Sequence, residues 1–192
     1  MTRSEPPKSK IAEHNAAVKH HVSRGLSLTL VLSLLAGCGL ADRIAGRRGY
    51  TISSESMEPT LRKGSHVTAV EVNRDYTPKQ GDVVFFATPA SWGDGIRVAR
   101  VIGVPGATVA CCDDGGRMTV NGRPLEEPYL KESPASRLGF GPVTVPAGSV
   151  WVQGDNRHVS IDSRSYLSRD GIGQATVPVT DVVGVADLTT AE

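Results

Sequence analysis

The sequence predicts an all-β body of mostly antiparallel sheets, preceded by one N-terminal membrane or signal segment. Three observations predict it. The 192 residues include 21 Gly and 12 Pro but only 5% aromatic residues, a density of breakers that suits short strands and turns better than a helix bundle. Beyond residue 40, apolar residues fall in short runs separated by Gly, Pro, Asn and Asp, with no long amphipathic stretch of helical period. The longest leader-like apolar run lies near the start, behind a basic region.

Bulk properties narrow the function classes. A formal net charge of +1 and a hydrophobic fraction of 39% argue against a nucleic-acid binder and against a disordered acidic tail. The length allows one folded domain plus a leader. The chain has no P-loop, GxGxxG, CxxC pair, heptad array or internal repeat. Cys38, Cys111 and Cys112 lack metal-ligand spacing, so neither a metal nor another cofactor is expected. Cys111 and Cys112 read as two reduced thiols, one facing in and one out on a strand. A ring closed between neighbours departs from the usual Cα separation. An oxidising compartment would still allow it.

The leader comes first. Residues 1–24 are polar, with Arg3, Lys8, Lys10, Lys19 and Arg24 outweighing Glu5 and Glu13. They cannot build a core and read as a flexible cytoplasmic tail. Residues 25–41 form the signal or anchor segment. Its apolar run at 26–35 is ~10 residues long, nearer a signal-peptide core than the ~20 of a spanning helix. Extended to Ala41 it becomes a marginal span. Leu35-Ala36-Gly37-Cys38 resembles a bacterial lipobox, which implies lipid attachment at Cys38. The other readings are an uncleaved membrane anchor and, behind it, a buried helix. Both leading readings put residues 42–192 on the extracytoplasmic face of the cell membrane. Arg43, Arg47 and Arg48 keep charge alone from fixing the orientation.

The body then reads as strands. Residues 50–53 are a short extended entry. Residues 66–72 alternate around Val67, Ala69 and Val70. An apolar strand at 82–87 follows the Gln80-Gly81 turn, and another at 96–104 ends at Pro105-Gly106. Residues 108–111 form a short strand. Residues 117–120 lead into Asn121-Gly122, a hairpin signal because both residues tolerate positive φ. Strands at 149–153, containing Trp151, and at 182–188 complete the body.

Chemistry concentrates on the stretch Ser53-Ser54-Glu55-Ser56-Met57-Glu58-Pro59-Thr60-Leu61. Pro59 disfavours helix at Glu58 and fixes a local bend, so Ser56 is a candidate presented nucleophile. Serine is also common in turns for its hydrogen bonding alone. Three other stretches join it: Gly81-Asp82-Val83-Val84-Phe85, then Arg100-Val101-Ile102-Gly103-Val104-Pro105-Gly106, then the polar run from Gly154 to Arg164. In this order and spacing the four stretches resemble bacterial signal peptidase I. Cys111-Cys112-Asp113 and Thr119-Val120-Asn121-Gly122 also look like the actinobacterial members of that family.

The resemblance implies a membrane-bound serine protease that removes signal peptides from exported proteins. It implies partners too: signal peptides and membrane lipid, but no nucleic acid. Ser56 aligns with the nucleophile. The Ser56 backbone N–H and the Ser54 side chain match the oxyanion hole. Ser160 matches a serine that orients the general base, and Asp162 and Arg164 match a structural ion pair beside the site. An apolar surface near the site is expected at the bilayer. Tyr50 and Ile52 are the available residues for that edge, and Met57, Val84, Phe85 and Ile102 are candidate pocket walls.

One position departs from the pattern. The family's general base is a lysine directly before the arginine of the Arg100 strand, and here that position is Ala99. A serine hydroxyl without a base is a poor nucleophile. Arg97 shares the strand face of Ala99 but stays protonated. Some eukaryotic relatives use histidine at that position; His66 and His158 are the histidines of the body, and nothing in spacing places either on Ser56. Two readings follow: a signal peptidase I-like endopeptidase, or an impaired pseudopeptidase that binds signal peptides or a partner, such as an active paralogous peptidase. A self-cleaving repressor of LexA type shares the serine–lysine logic but conflicts with the leader, the lack of DNA-binding helices and the missing lysine.

Overall fold

The computed structural model describes residues 46–191. The readings of residues 1–24, of the 25–41 segment and of Cys38 lie outside the described residues. The chain divides into two units, Met1–Ala45 and Gly46–Glu192, and the description concerns the second.

Two antiparallel sheets make up the body. The larger uses β1 (Arg47–Thr51), β2 (His66–Glu71), β3 (Val83–Ala87), β4 (Ile96–Gly103), β9 (Ser149–Gln153), β10 (Val177–Pro178) and β11 (Val182–Asp187). Its order is β1-β2-β11-β3-β4-β9-β10. The smaller uses β5 (Thr108–Cys111), β6 (Met118–Val120), β7 (Arg123–Pro124) and β8 (Phe140–Thr144), in the order β7-β6-β5-β8. One helix, α1 (Ser163–Asp170), follows β9. The all-β expectation holds, and no helix among the described residues is long and apolar enough to cross a membrane.

β3 shows why the apolar run at 82–87 is continuous. Side chains alternate between the faces of a strand. Val84 and Phe86 enter a core with Val101, Ile102, Val109, Met118 and Trp151, whereas Val83 and Phe85 enter a second core with Ile52, Met57, Leu61, Val67 and Ala69. A strand covered on both faces has no polar side to reveal its period. Burying one such Phe or Val stabilises the fold by ~1.5–3 kcal/mol. β4 pairs with β3 on one side and β9 on the other, which places Ala99 opposite Val84 and Arg100 opposite Gln153.

The hairpin at Asn121-Gly122 forms as expected, with φ of 52° and 74°, between β6 and β7. Two other expectations are corrected. Cys111 and Cys112 are joined by a disulfide and are not two reduced thiols. The ladder ends at Cys111, so Cys112 does not continue the alternation of the strand. Ile52 is no exposed edge: it is 3% exposed and packs in the second core. Tyr50 is half-buried and stacks on Phe85, with ring centroids 3.9 Å apart. The exposed apolar side chains beside the groove are instead Ile96, Val159 and Ile161.

Candidate active site

Ser56 sits on a loop closed at its base by two backbone bonds, Ile52 N to Ser65 O at 2.9 Å and Gly64 N to Ile52 O at 2.8 Å. Inside it, Leu61 N donates to Met57 O at 2.9 Å. Met57 and Leu61 are fully buried in the second core, which anchors the loop and leaves Ser56 half-exposed. The buried Ile52, Met57 and Leu61 of this loop therefore serve packing, and the residues between them presentation.

The segment from Gly154 zips onto the loop backbone. Asn156 N donates to Ser56 O at 2.9 Å, and Asn156 Nδ2 donates to Glu55 O at 3.1 Å. Ser160 Oγ lies 3.1 Å from Ser56 O and 2.7 Å from Asn156 O. Gly154 makes this approach possible. A Cβ there would stand 2.1 Å from Ser160 Oγ and 2.5 Å from Ser56 O. Ser160 Oγ thus ties the backbone at Ser56 to that at Asn156.

Three buried ion pairs brace this arrangement. Arg100 donates from Nε to Asp155 Oδ1 at 2.8 Å and from Nη2 to Asp155 Oδ2 at 2.6 Å. Thr60 Oγ1 donates to the same carboxylate, tying it to the Ser56 loop. Burial opposes the Arg100 charge, but the bonds to Asp155 outweigh it, so the guanidinium titrates above its ordinary range. Arg164 binds Asp162 through Nε at 2.9 Å and Nη2 at 2.6 Å, the pairing expected from the sequence. Asp162 also accepts from Gly154 N at 3.2 Å and caps α1 by accepting from Arg164 N. Arg157 pairs with Glu127, and its Nε donates to Gly154 O at 2.9 Å. Outside the core, Lys131 Nζ reaches Glu58 Oε2 at 2.7 Å.

Together these elements wall a groove of about 470 Å³. Ser54, Ser56, Ala99, Ser160 and Asp162 all line it, so five of the positions singled out in the sequence meet in one cleft. Arg164 stands behind Asp162. Of the four candidate pocket walls only Phe85 lines the groove; Met57, Val84 and Ile102 are core residues with 0% exposure. Trp92, Arg97, Val98 and Ile161 contribute walls that the sequence did not single out for that role.

No amine or imidazole meets Ser56 Oγ among the described residues. Ser56 Oγ has one side-chain partner among the described residues, Ser54 Oγ at 3.0 Å. The Ser56 N–H donates to no group among the described residues. Ala99 presents a methyl, 5% exposed. Arg97 is spent on the loop before β4, donating to Trp92 O at 2.6 Å. His66 is exposed on β2. His158 faces Glu132 and, at 3.1 Å, Pro134 O. Neither histidine lines the groove.

By geometry, this is an antiparallel β protein that presents an alcohol in a cleft of ligand-binding size. Comparison with known proteins narrows that class. The family model for signal peptidase, peptidase S26, matches residues 24–191. The signal peptidase I of Mycobacterium tuberculosis is 40% identical over 190 residues, covering 73% of this chain and 64% of that protein. The signal peptidase I of Leptolyngbya laminosa is 38% identical over 160 residues, covering 78% of this chain and 75% of that protein. A crystal structure of a signal peptidase I from Enterococcus faecalis V583 is similar at a TM-score of 0.46 and 30% identity, covering 57% of this chain and 97% of that one. The chain belongs to the signal peptidase family, peptidase S26. It spans 64% of the length of its M. tuberculosis relative.

Proposed function

We propose that the groove binds the signal peptides of exported proteins and presents Ser56 to the scissile carbonyl, with Ser54 Oγ and the Ser56 N–H as oxyanion donors. In that reaction the Ser56 oxygen bonds to the carbonyl carbon and its proton passes to a base. The proton then reaches the departing amine, and water releases the acyl group. A donor aimed at the oxyanion is worth ~2.7–4 kcal/mol of transition-state stabilisation. The missing piece is the base. We therefore propose that the chain alone binds signal peptides and cleaves them slowly, by a factor of at least ~10²–10⁴ below a base-equipped relative.

The observation that carries this reading is the set of contacts at Ser56 Oγ: one hydroxyl, no amine and no imidazole among the described residues. A second reading, an endopeptidase completed by a base from another chain such as an active paralogous peptidase, is favoured by the intact Ser54–Ser56 pair. We place the β body on the extracytoplasmic face of the cell membrane, held by lipid on Cys38 or by an uncleaved 25–41 anchor. Intact mass of membrane-extracted protein decides between these: loss of residues 1–37 with added acyl chains supports the lipid, and a full-length chain refutes it.

A cleavage assay on a signal-peptide substrate tests the catalytic reading. The parent is expected to show little or no turnover, and Ala99→Lys is expected to gain it. Parent turnover at the rate of a base-equipped relative, abolished in Ser56→Ala, refutes the impairment.

A further inference from the structure

The Cys111–Cys112 disulfide plays no part in the chemistry proposed for Ser56, yet it is built into the support of the groove. Cys111 is buried and Cys112 is an exposed residue, so a reductant approaches the pair from the Cys112 side. The turn that follows is closed by Asp113 N to Arg117 O at 3.0 Å and Gly116 N to Asp113 O at 2.9 Å. A strap, residues 133–138, rests on this turn. Ala135 N donates to Gly116 O at 2.9 Å, and Cys112 Sγ lies 4.0 Å from Ser136 O. The packing is close: a Cβ on Gly116 would stand 3.0 Å from Pro134 Cβ.

The other side of the strap receives the groove segment. Arg157 Nη1 donates to Ala135 O at 3.1 Å, Arg164 Nη1 donates to Ser136 Oγ at 3.2 Å, and His158 Nε2 faces Pro134 O at 3.1 Å. The same two guanidiniums reach the groove wall from behind. Arg157 Nε holds Gly154 O, and Arg164 holds Asp162, which accepts from Gly154 N. Gly154 and Asp162 line the groove. A continuous set of short polar contacts thus runs from the disulfide turn, through two buried strap residues, to the backbone beside Ser56.

We propose that this disulfide is a reducible modification site that sets how tightly the groove holds a peptide; the inference rests on the peptide-binding reading above. The reductant is a dithiol. One of its thiolates attacks the Cys112 sulfur, a mixed disulfide forms, and Cys111 leaves as a thiolate that takes up a proton. The second thiol of the reductant then attacks the mixed disulfide and frees Cys112, which is protonated in turn. Two electrons pass to the protein, and the dithiol leaves as a disulfide. In the oxidised form Cys112 has no proton and cannot donate to Ser136 O. Once reduced, it can donate there, and the covalent constraint on the turn is gone. The strap is then free to shift, and because Arg157 and Arg164 each bond the strap and the groove wall at once, the shift reaches Gly154 and Asp162, with the Arg157–Glu127 pair opposing it.

The test uses full-length protein in detergent, oxidised or treated with dithiothreitol. Alkylation and intact mass count the thiols at 111 and 112, and the anisotropy of a fluorescent signal peptide reports affinity. The reduced form is expected to bind about threefold or more weakly. Cys112→Ser is expected to bind like the reduced parent and to ignore dithiothreitol. Hydrogen exchange at residues 154–160 is read in parallel and is expected to quicken on reduction. Equal affinity and equal exchange in the two states overturn the proposal, as do two free thiols in protein never exposed to reductant. If no peptide binds in either state, the peptide-binding reading fails, and the exchange measurement alone decides the redox link.

Discussion

Gly154→Ala tests the close approach that places Ser56. The added methyl would meet Ser56 O at 2.5 Å, Ser160 Oγ at 2.1 Å and Ser160 Cβ at 2.9 Å. An ordinary carbon–oxygen contact is ~3.3 Å or longer. The Ser160 hydroxyl can rotate away, but it then leaves Ser56 O and Asn156 O. The Ser56 carbonyl is backbone, and it can move only by stretching its bond from Asn156 N. Overpacking costs ~1–3 kcal/mol, and each hydrogen bond lost adds ~1 kcal/mol. The expected destabilisation is therefore about 2–4 kcal/mol. Urea unfolding is the assay, with a lower midpoint at unchanged m-value. Gly141→Ala is the control. Gly141 has nothing within 4 Å of an added Cβ and no positive φ, so its change should stay within ~0.5 kcal/mol. Adding Ser160→Ala to Gly154→Ala should restore only part of the loss, because the clash with Ser56 O persists. A Gly154→Ala protein as stable as the parent would show that the two segments are not packed as described.

Two further outcomes follow from the charged groups. Glu127→Leu alone leaves the Arg157 charge buried without its carboxylate, at a cost of ~3–5 kcal/mol, whereas Glu127→Leu with Arg157→Met should recover part of it, since Gly154 O and Ala135 O then lose a donor; thermal unfolding of the three proteins checks this, and a double variant as unstable as the single one refutes it. The hydrogen bond from Lys131 holds the Glu58 carboxyl below its ordinary range. Because that folded-state value is depressed, the contribution of Glu58 is present above the ordinary glutamate range and is lost as pH falls through the lowered value. An NMR titration should therefore show the Glu58 midpoint moving up in Lys131→Met, and an unmoved midpoint would deny the contact.

Much of the fold is legible in the sequence, and the omissions share a cause. The strands around Val67, Val84, Val101, Val109, Trp151 and Val182 are read from apolar runs between breakers. Three strands escape, β7, β8 and β10. Each carries a proline, at Pro124, Pro142 and Pro178, and each lies at a sheet edge. Proline is tolerated at an edge because no ladder bond is required of it there, yet in sequence it reads as a breaker. Helix α1 escapes because its buried residues are Ser163, Arg164 and Tyr166, which show no apolar period. At the site, the stretch from Gly154 to Arg164 is recognisable as dense in polar groups. Which carboxylate meets which guanidinium across tens of residues is not. Asp162 with Arg164 is local and was legible by resemblance. Arg100 with Asp155 and Arg157 with Glu127 are long-range pairs, set by the packing of β4, β9 and the 127–131 segment.

Those pairs bear on what the groove is for. A buried ion pair adds little net stability, because desolvation offsets most of the attraction. Its effect is positional: once both partners are buried, only one arrangement satisfies them. Here the three pairs converge on Asp155, Asp162 and Gly154, and so on the backbone that carries Ser56 and faces the cleft. Binding an extended peptide needs such a fixed wall and fixed donors. Acyl transfer needs them too, but it also needs a site for the departing proton, and the methyl of Ala99 supplies none. Among the described residues no lysine or histidine meets Ser56 Oγ to take that proton, and this is the ground on which binding without efficient cleavage is proposed.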